Sequence, residues 1–185
     1  MKNYAVALVG MCGSGKSVLC ELFEKQNWDK VYFGGVTMTE LKKAGLEVNE
    51  QNERAMREGL RKEFGMGAFA IKLVDVIKEK LEKGNIVLDG LYSWSEYEIL
   101  NKEFGNNLVV LAVVTNRQTR YDRLATRQVR PLTNEQAQSR DWSEIKNLEK
   151  GGPISYADYY LVNNGDTLEM EKQFNEFIAW LNNKR

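Results

Sequence analysis

Eight residues, Gly10-Met11-Cys12-Gly13-Ser14-Gly15-Lys16-Ser17, constrain this chain more than any others. They fit the pattern G-x-x-x-x-G-K-S/T, follow the apolar run Tyr4 to Val9, and open a helical pattern from Lys16 to Lys25. Glycines there let the backbone curl until successive N–H groups point at one place, and the helix amino terminus adds positive partial charge. Such a turn cradles phosphate. Lys16 is placed to reach the β- and γ-phosphates of a nucleotide, and the Ser17 hydroxyl to ligate Mg²⁺. ATP with Mg²⁺ is therefore the implied ligand, held by Gly10 to Ser17 and the adjoining Val18. The plainer alternative is a glycine turn with a structural role only.

Around the loop, five short apolar runs recur: Tyr4 to Val9, Val31 to Phe33, Ile86 to Leu88, Leu108 to Val114 and Tyr159 to Val162. They are β-branched or aromatic, nearly continuous, and separated by helix-length polar segments, as strands buried in a parallel sheet are. Gly65, Gly84, Gly105 and Gly151 each follow a periodic segment and are expected to end helices in a left-handed cap. Ser93 before Glu96, Thr133 before Gln136 and Asp166 before Glu169 are candidate capping boxes. The pattern predicts an α/β fold with right-handed crossovers.

The length of 185 residues suits one domain, and no repeat or linker divides it. Pro131 and Pro153 bracket a polar segment, Leu132 to Gly152, that reads as a helical lid or arm of the same domain. Lys plus Arg and Asp plus Glu number 26 each, so no global field draws the chain to nucleic acid or an anionic membrane. The chain has no histidine, which excludes imidazole catalysis and His-ligated metals. Two cysteines, Cys12 and Cys20, are too few for a disulfide framework. The run behind Met1-Lys2 is too short for a leader, no stretch is long and apolar enough to span a membrane, and a cytoplasmic setting is expected.

Other residues carry candidate chemistry. Asp89 ends the apolar run Ile86-Val87-Leu88 and precedes Gly90, at the strand end where such sheets bind ligands. It can hold the metal's water shell or accept a proton from an attacking hydroxyl, unless it merely caps the next helix. Arg117, Arg120, Arg123, Arg127 and Arg130 would span roughly 140° of one helix face. Asp122 points away from that face, which therefore lacks internal compensation and is expected to want an external anion. Arg54, Arg57 and Arg61 also share a face, but Glu50, Glu53 and Glu58 lie four residues from them; that helix reads as self-neutralised, with Arg61 the candidate for an acceptor-side role. Cys12 lies where amides converge, so its thiol is either activated or small filler.

Taken in order, these pieces resemble the nucleoside-monophosphate-kinase-like branch of P-loop kinases, closest to dephospho-coenzyme-A-kinase-like and adenylate-kinase-related proteins. The resemblance runs through Gly10 to Ser17, Leu60 to Gly65, Val87 to Gly90, the Arg120, Arg123, Arg127 spacing, Arg140-Asp141, and Ala157 to Gly165. It implies a three-layer P-loop fold whose five-stranded parallel sheet runs 2-3-1-4-5 with helices on both faces. It implies a single kinase domain over 1–185, with a lid within about 117–151. Arg120 would lie near adenine, Arg123 or Arg127 near the phosphates as catalytic residues beside Lys16 and Asp89, and Asn163, Asn164 and Gly165 near the base edge. Gly34, Gly35 and Arg61 would face the acceptor, and Ser17 and Asp89 the metal, Asp89 through water.

One departure stands out. Where these families place an acidic residue after the second strand, this chain has Gly34-Gly35-Val36-Thr37-Met38. Asp89 is then the obvious base, and Met38 and Thr39 supply no arginine for a phosphate acceptor. The expected activity is transfer of the γ-phosphoryl of Mg-ATP to a small nucleotide-like acceptor, of the dephospho-coenzyme-A or nucleoside-monophosphate class. The alternative is a nucleotide-binding switch or slow NTPase with a degenerate acceptor site. A nucleic-acid 5′-end kinase is disfavoured by the neutral charge. Trp94, Trp142 and Trp180 are either interface anchors or ordinary packing residues, so an oligomeric partner stays undefined.

Overall fold

The computed structural model describes residues 3–184; Met1 and Lys2, the charged lead of the first apolar run, lie outside the described residues. Strands β1 (Ala5–Val9), β2 (Asp29–Tyr32), β3 (Ile86–Asp89), β4 (Leu108–Val114) and β5 (Tyr159–Val162) form one parallel sheet in the order β2-β3-β1-β4-β5. The expected 2-3-1-4-5 order is the order found. Helices α1 (Lys16–Lys25), α2 (Gly35–Lys43), α3 (Glu50–Phe64), α4 (Ala68–Lys83), α5 (Trp94–Phe104), α6 (Arg117–Thr126), α7 (Asn134–Lys146), α8 (Gly151–Ser155) and α9 (Thr167–Asn183) connect and flank the strands.

Strand alternation divides the interior into two apolar layers. Ala5, Ala7 and Val9 of β1 join Leu88, Phe69 and Ile77 on one side of the sheet. Val6 and Leu8 join Leu19, Phe23, Phe174 and Phe177 on the other, where α1 and α9 pack. The central strand is buried throughout, whereas β2 and β5 each bury one residue, Val31 and Leu161. Those two are edge strands, and the continuous burial expected of all five runs holds only for the inner three.

Several helix ends follow the sequence signals. Ser93 and Thr133 form reciprocal capping boxes with Glu96 and Gln136, and Asp166 accepts the Glu169 N–H. Gly65 and Gly105 have the positive φ expected of them, 75° and 46°, but ψ of −172° and −123°, so neither forms a left-handed helical cap. Gly84 lacks the positive φ as well: its φ of 173° is extended chain. Gly151 opens α8 instead of closing a helix, and the left-handed residue near it is Glu149. The helix containing the arginines also ends early. Arg127 is extended and Arg130 has φ 53°, so the chain leaves the helix before it reaches Pro131.

Candidate functional site

The phosphate loop emerges from β1, in the middle of the sheet, and hands over to α1 at Lys16. Its glycines are required sterically. Gly13 has φ 80°, and a Cβ there would meet the Arg120 carbonyl oxygen at 2.9 Å. Gly15, at φ 100°, leaves no room for a Cβ beside the Asn163 side-chain amide. That amide donates to the Ser14 carbonyl at 2.8 Å, and the Thr115 hydroxyl donates to the same oxygen at 3.1 Å. Gly10, Met11, Cys12 and Val18 complete the curl, and Ser17 is exposed at the helix start. The buried Ser14 hydroxyl has no hydrogen-bond partner among the described residues, an orphan that a ligand oxygen would satisfy.

Lys16 folds back over the curl and donates to the carbonyls of Gly10 at 2.7 Å and Met11 at 3.1 Å. Burial, reinforced by the charge of Lys150, lowers its pKa to about 8, against the opposing pull of Glu144, Cys12 and Asp89. Asp89 ends β3 beside Leu8 of β1 and Tyr32 of β2, half-buried next to the loop. Burial, then Asp89, pushes the neighbouring Cys20 thiol up to about 12 and keeps it inert. The Ser17 hydroxyl and the Asp89 carboxylate are hard oxygen donors of the kind Mg²⁺ takes with water, so these residues fit the ion. When bound, Mg²⁺ would neutralise charge on the phosphate oxygens.

The arginine segment corrects the expectation of an uncompensated face. Arg120 is buried and makes two 2.7 Å bonds to the Asp141 carboxylate, and a third, at 3.1 Å, to the Cys12 carbonyl. Arg123 donates to the carbonyls of Asn163 at 2.9 Å and Gly165 at 3.2 Å, tying the turn after β5 to α6. Asn164 accepts the Asn116 N–H in the same turn. Arg127 and Arg130 lie beyond the helix and line the large cavity beside the loop. Arginines 120 and 123 thus brace the loop and the turn in this form of the protein.

Two charged residues at the loop had no place in the sequence reading. Glu144 of α7 accepts the Cys12 backbone N–H at 3.0 Å, pairs with Lys150 at 3.0 Å, and receives Arg140 at 3.3 Å. Burial opposes its ionisation, yet the charge and hydrogen bond of Lys150, then Lys16 and Arg140, hold its pKa below the usual carboxylate value. A signal for it does exist in the chain. Ala137, Asp141 and Glu144 fall at helical spacing and are the buried face of α7, so an otherwise polar helix turns two carboxylates inward.

A cavity of about 780 Å³ opens between α2, α3 and α7. Gly34, Thr37, Arg57, Arg61, Tyr92 and Arg140 are among its walls; Gly35 starts α2 next to them. Arg54 pairs with Glu58, and Arg57 with Glu53 and Glu50, so the self-neutralised face is found, although Glu50 pairs with Arg57 and not Arg54. Arg61 has no such pair among the described residues. Its guanidinium lies 5.2 Å from the Phe69 ring centre, its Nε is an unsatisfied buried donor, and burial lowers its pKa. The Thr37 hydroxyl is likewise buried and unsatisfied. Met38 and Thr39 bring no arginine to this cavity; its arginines come from α3 and from the α6–α7 side. Trp142 is exposed, whereas Trp94 and Trp180 stack with Tyr97 and Tyr156, and with Tyr159 and Phe177.

Comparison with known proteins agrees with this geometry. The fold is similar to TT1252 from Thermus thermophilus (TM-score 0.61, 16% identity, covering 98% of this chain and 99% of that one). It is similar to a shikimate kinase from Bacteroides thetaiotaomicron (0.58, 15%, 97% and 98%) and a gluconokinase from Sinorhizobium meliloti (0.60, 13%, 97% and 94%). The P-loop kinase architecture implied by the sequence is the one these neighbours share. A family model described as an AAA domain matches residues 6–142. A UPF0200 protein of Thermococcus kodakarensis is 34% identical, covering 94% of this chain and 95% of its relative. One of Methanocaldococcus jannaschii is 32% identical, at 96% and 87%. With near-complete overlap at that identity and a model spanning most of the sheet, the chain belongs to the UPF0200 family and carries the AAA domain over residues 6–142.

Proposed function

We propose that this protein is an ATP-dependent phosphotransferase that moves the γ-phosphoryl of Mg-ATP to a small, anionic, nucleotide-like acceptor. The carrying observation is the position of the cavity, which shares Glu144 with the phosphate loop and has arginines on both of its sides. A donor phosphate on the loop and an acceptor in the cavity would meet there, which is the juxtaposition that phosphoryl transfer needs. The neighbours named shikimate kinase and gluconokinase support a small-molecule acceptor.

In this reading Lys16 and the loop amides hold the β- and γ-phosphates, and Ser17 would hold Mg²⁺, with Asp89 either reaching its water shell or serving as base. An acceptor oxygen attacks the γ-phosphorus, the new P–O bond forms, and the bond to ADP breaks. A hydroxyl acceptor, the class of dephospho-coenzyme A, passes its proton to Asp89; a phosphate acceptor such as a nucleoside monophosphate needs no base, and Arg57, Arg61 and Arg140 suit that second class. Residues within about 117–151 act as a lid that excludes water, with Arg127 brought to the phosphates on closure. The Asn163 to Gly165 turn borders the base.

ADP release, measured with ATP, Mg²⁺ and a panel of nucleoside monophosphates, nucleosides and dephospho-coenzyme A, tests this. Acceptor-dependent release, strongest with phosphorylated acceptors, is expected. Release indifferent to every acceptor would instead support a nucleotide switch or slow NTPase, the reading favoured by the absence of a carboxylate across Gly34 to Met38.

A further inference from the structure

Glu144 and Lys150 form a buried ion pair, with side chains 6% and 2% exposed, where the loop meets the cavity. Burying both charges costs several kcal/mol of desolvation per ion, and a pair of this kind is weak support for stability by itself. The surroundings explain it better. The carboxylate takes a loop N–H that points into the cradle, and the cations Lys150, Arg140 and Lys16 gather round it. Anionic oxygen, loop amide and clustered cations together make a phosphate site with a carboxylate in it. Glu144 also lines the acceptor cavity, so it stands on the path between donor and acceptor.

Lys150 is built to be handed over. Its ammonium lies 4.9 Å from the Tyr92 ring centre, a contact independent of the carboxylate, and its backbone N–H bonds to the Glu144 main-chain carbonyl at 3.1 Å, so Lys150 stays at the site if only the Glu144 side chain leaves. Tyr92 is itself a cavity wall.

We propose that Glu144 is an internal substitute for the transferred phosphoryl group, and that Lys150 is a catalytic cation which Glu144 holds until the nucleotide displaces it. The proposal rests on the phosphotransferase reading and adds two residues to it. ATP's terminal phosphate takes over the Cys12 N–H and the Lys150 ammonium, and the Glu144 side chain rotates away while the backbone of α7 stays in place. ADP lacks that phosphate and leaves the pair in place.

Calorimetric titration of the full chain with Mg-ADP and with Mg-AMP-PNP, a non-transferable ATP analogue, separates this from a simple brace. Glu144→Gln removes the competing charge and is expected to bind AMP-PNP about ten-fold more tightly, with ADP changed less than about two-fold. Lys150→Met is expected to weaken AMP-PNP about ten-fold or more with ADP again little changed, and Lys150→Arg to recover most of the loss. Should Lys150→Met fail to fold, the double variant Glu144→Gln/Lys150→Met, which leaves no unpaired buried charge, replaces it and is read against Glu144→Gln alone, relative to which AMP-PNP is expected to weaken about ten-fold or more with ADP little changed. An AMP-PNP-to-ADP ratio that neither substitution moves overturns the proposal while leaving the kinase reading intact. If the wild type binds neither nucleotide, that reading fails and the proposal falls with it.

Discussion

At the residue scale, the lysine of the loop is the most exposed to test. Lys16→Ala is expected to abolish turnover while the thermal melting curve stays that of the wild type, because the side chain bonds only to carbonyls of its own loop. Its pKa of about 8 adds a second expectation. A bound polyphosphate favours the ammonium form, so above pH 8 binding must take up a proton, and affinity falls as pH rises through that range. ADP titrations at pH 9 in buffers of different ionisation enthalpy should report that uptake, and should not at pH 6.5. Glu96 offers a stability counterpart. Burial raises its pKa to about 7, although the N–H groups of Tyr92 and Ser93 bond to it. With the folded value above the unfolded one, the folded state binds more protons between the two, so this group makes stability fall as pH rises from about 4.5 to 7. Glu96→Gln should flatten that slope in denaturant titrations while keeping an oxygen for the cap.

At the scale of elements, α7 is held by its two inward carboxylates. Asp141→Ala leaves Arg120 buried without its partner, and a loss of about 3–5 kcal/mol is expected in urea unfolding. Local opening should rise too, with faster protease cleavage between Arg127 and Leu148 than in the wild type. These contacts mark where the chain was legible and where it was not. Local signals gave the strand limits at Leu108–Val114 and Tyr159–Val162, the helix Lys16–Lys25, and the caps at Ser93 and Thr133. A pattern within eight residues likewise gave the loop. Gly151 was misread because glycine is compatible with either end of a helix and the left-handed turn fell to Glu149. The arginine face was misread because compensation came from Asp141, 21 positions away, which no spacing within one helix reveals.

At the scale of the whole molecule, the two apolar layers meet on β1 and β3, and their integrity sets the stability of the site. Leu88 is fully buried one residue before Asp89, so Leu88→Ala should cost about 2–5 kcal/mol by denaturant midpoint and loosen the carboxylate with the strand. The sheet's order has a further consequence. Its rims, β2 and β5, each one buried residue deep, border the large cavity and the Asn163 turn, while the phosphate loop is rooted in the innermost strand. Amides of the rim strands should therefore exchange with deuterium before those of the centre. For the proposed phosphotransfer, small loosening at either margin would admit or release one reactant at a time, while the anchorage about which the exchange of groups turns stays put.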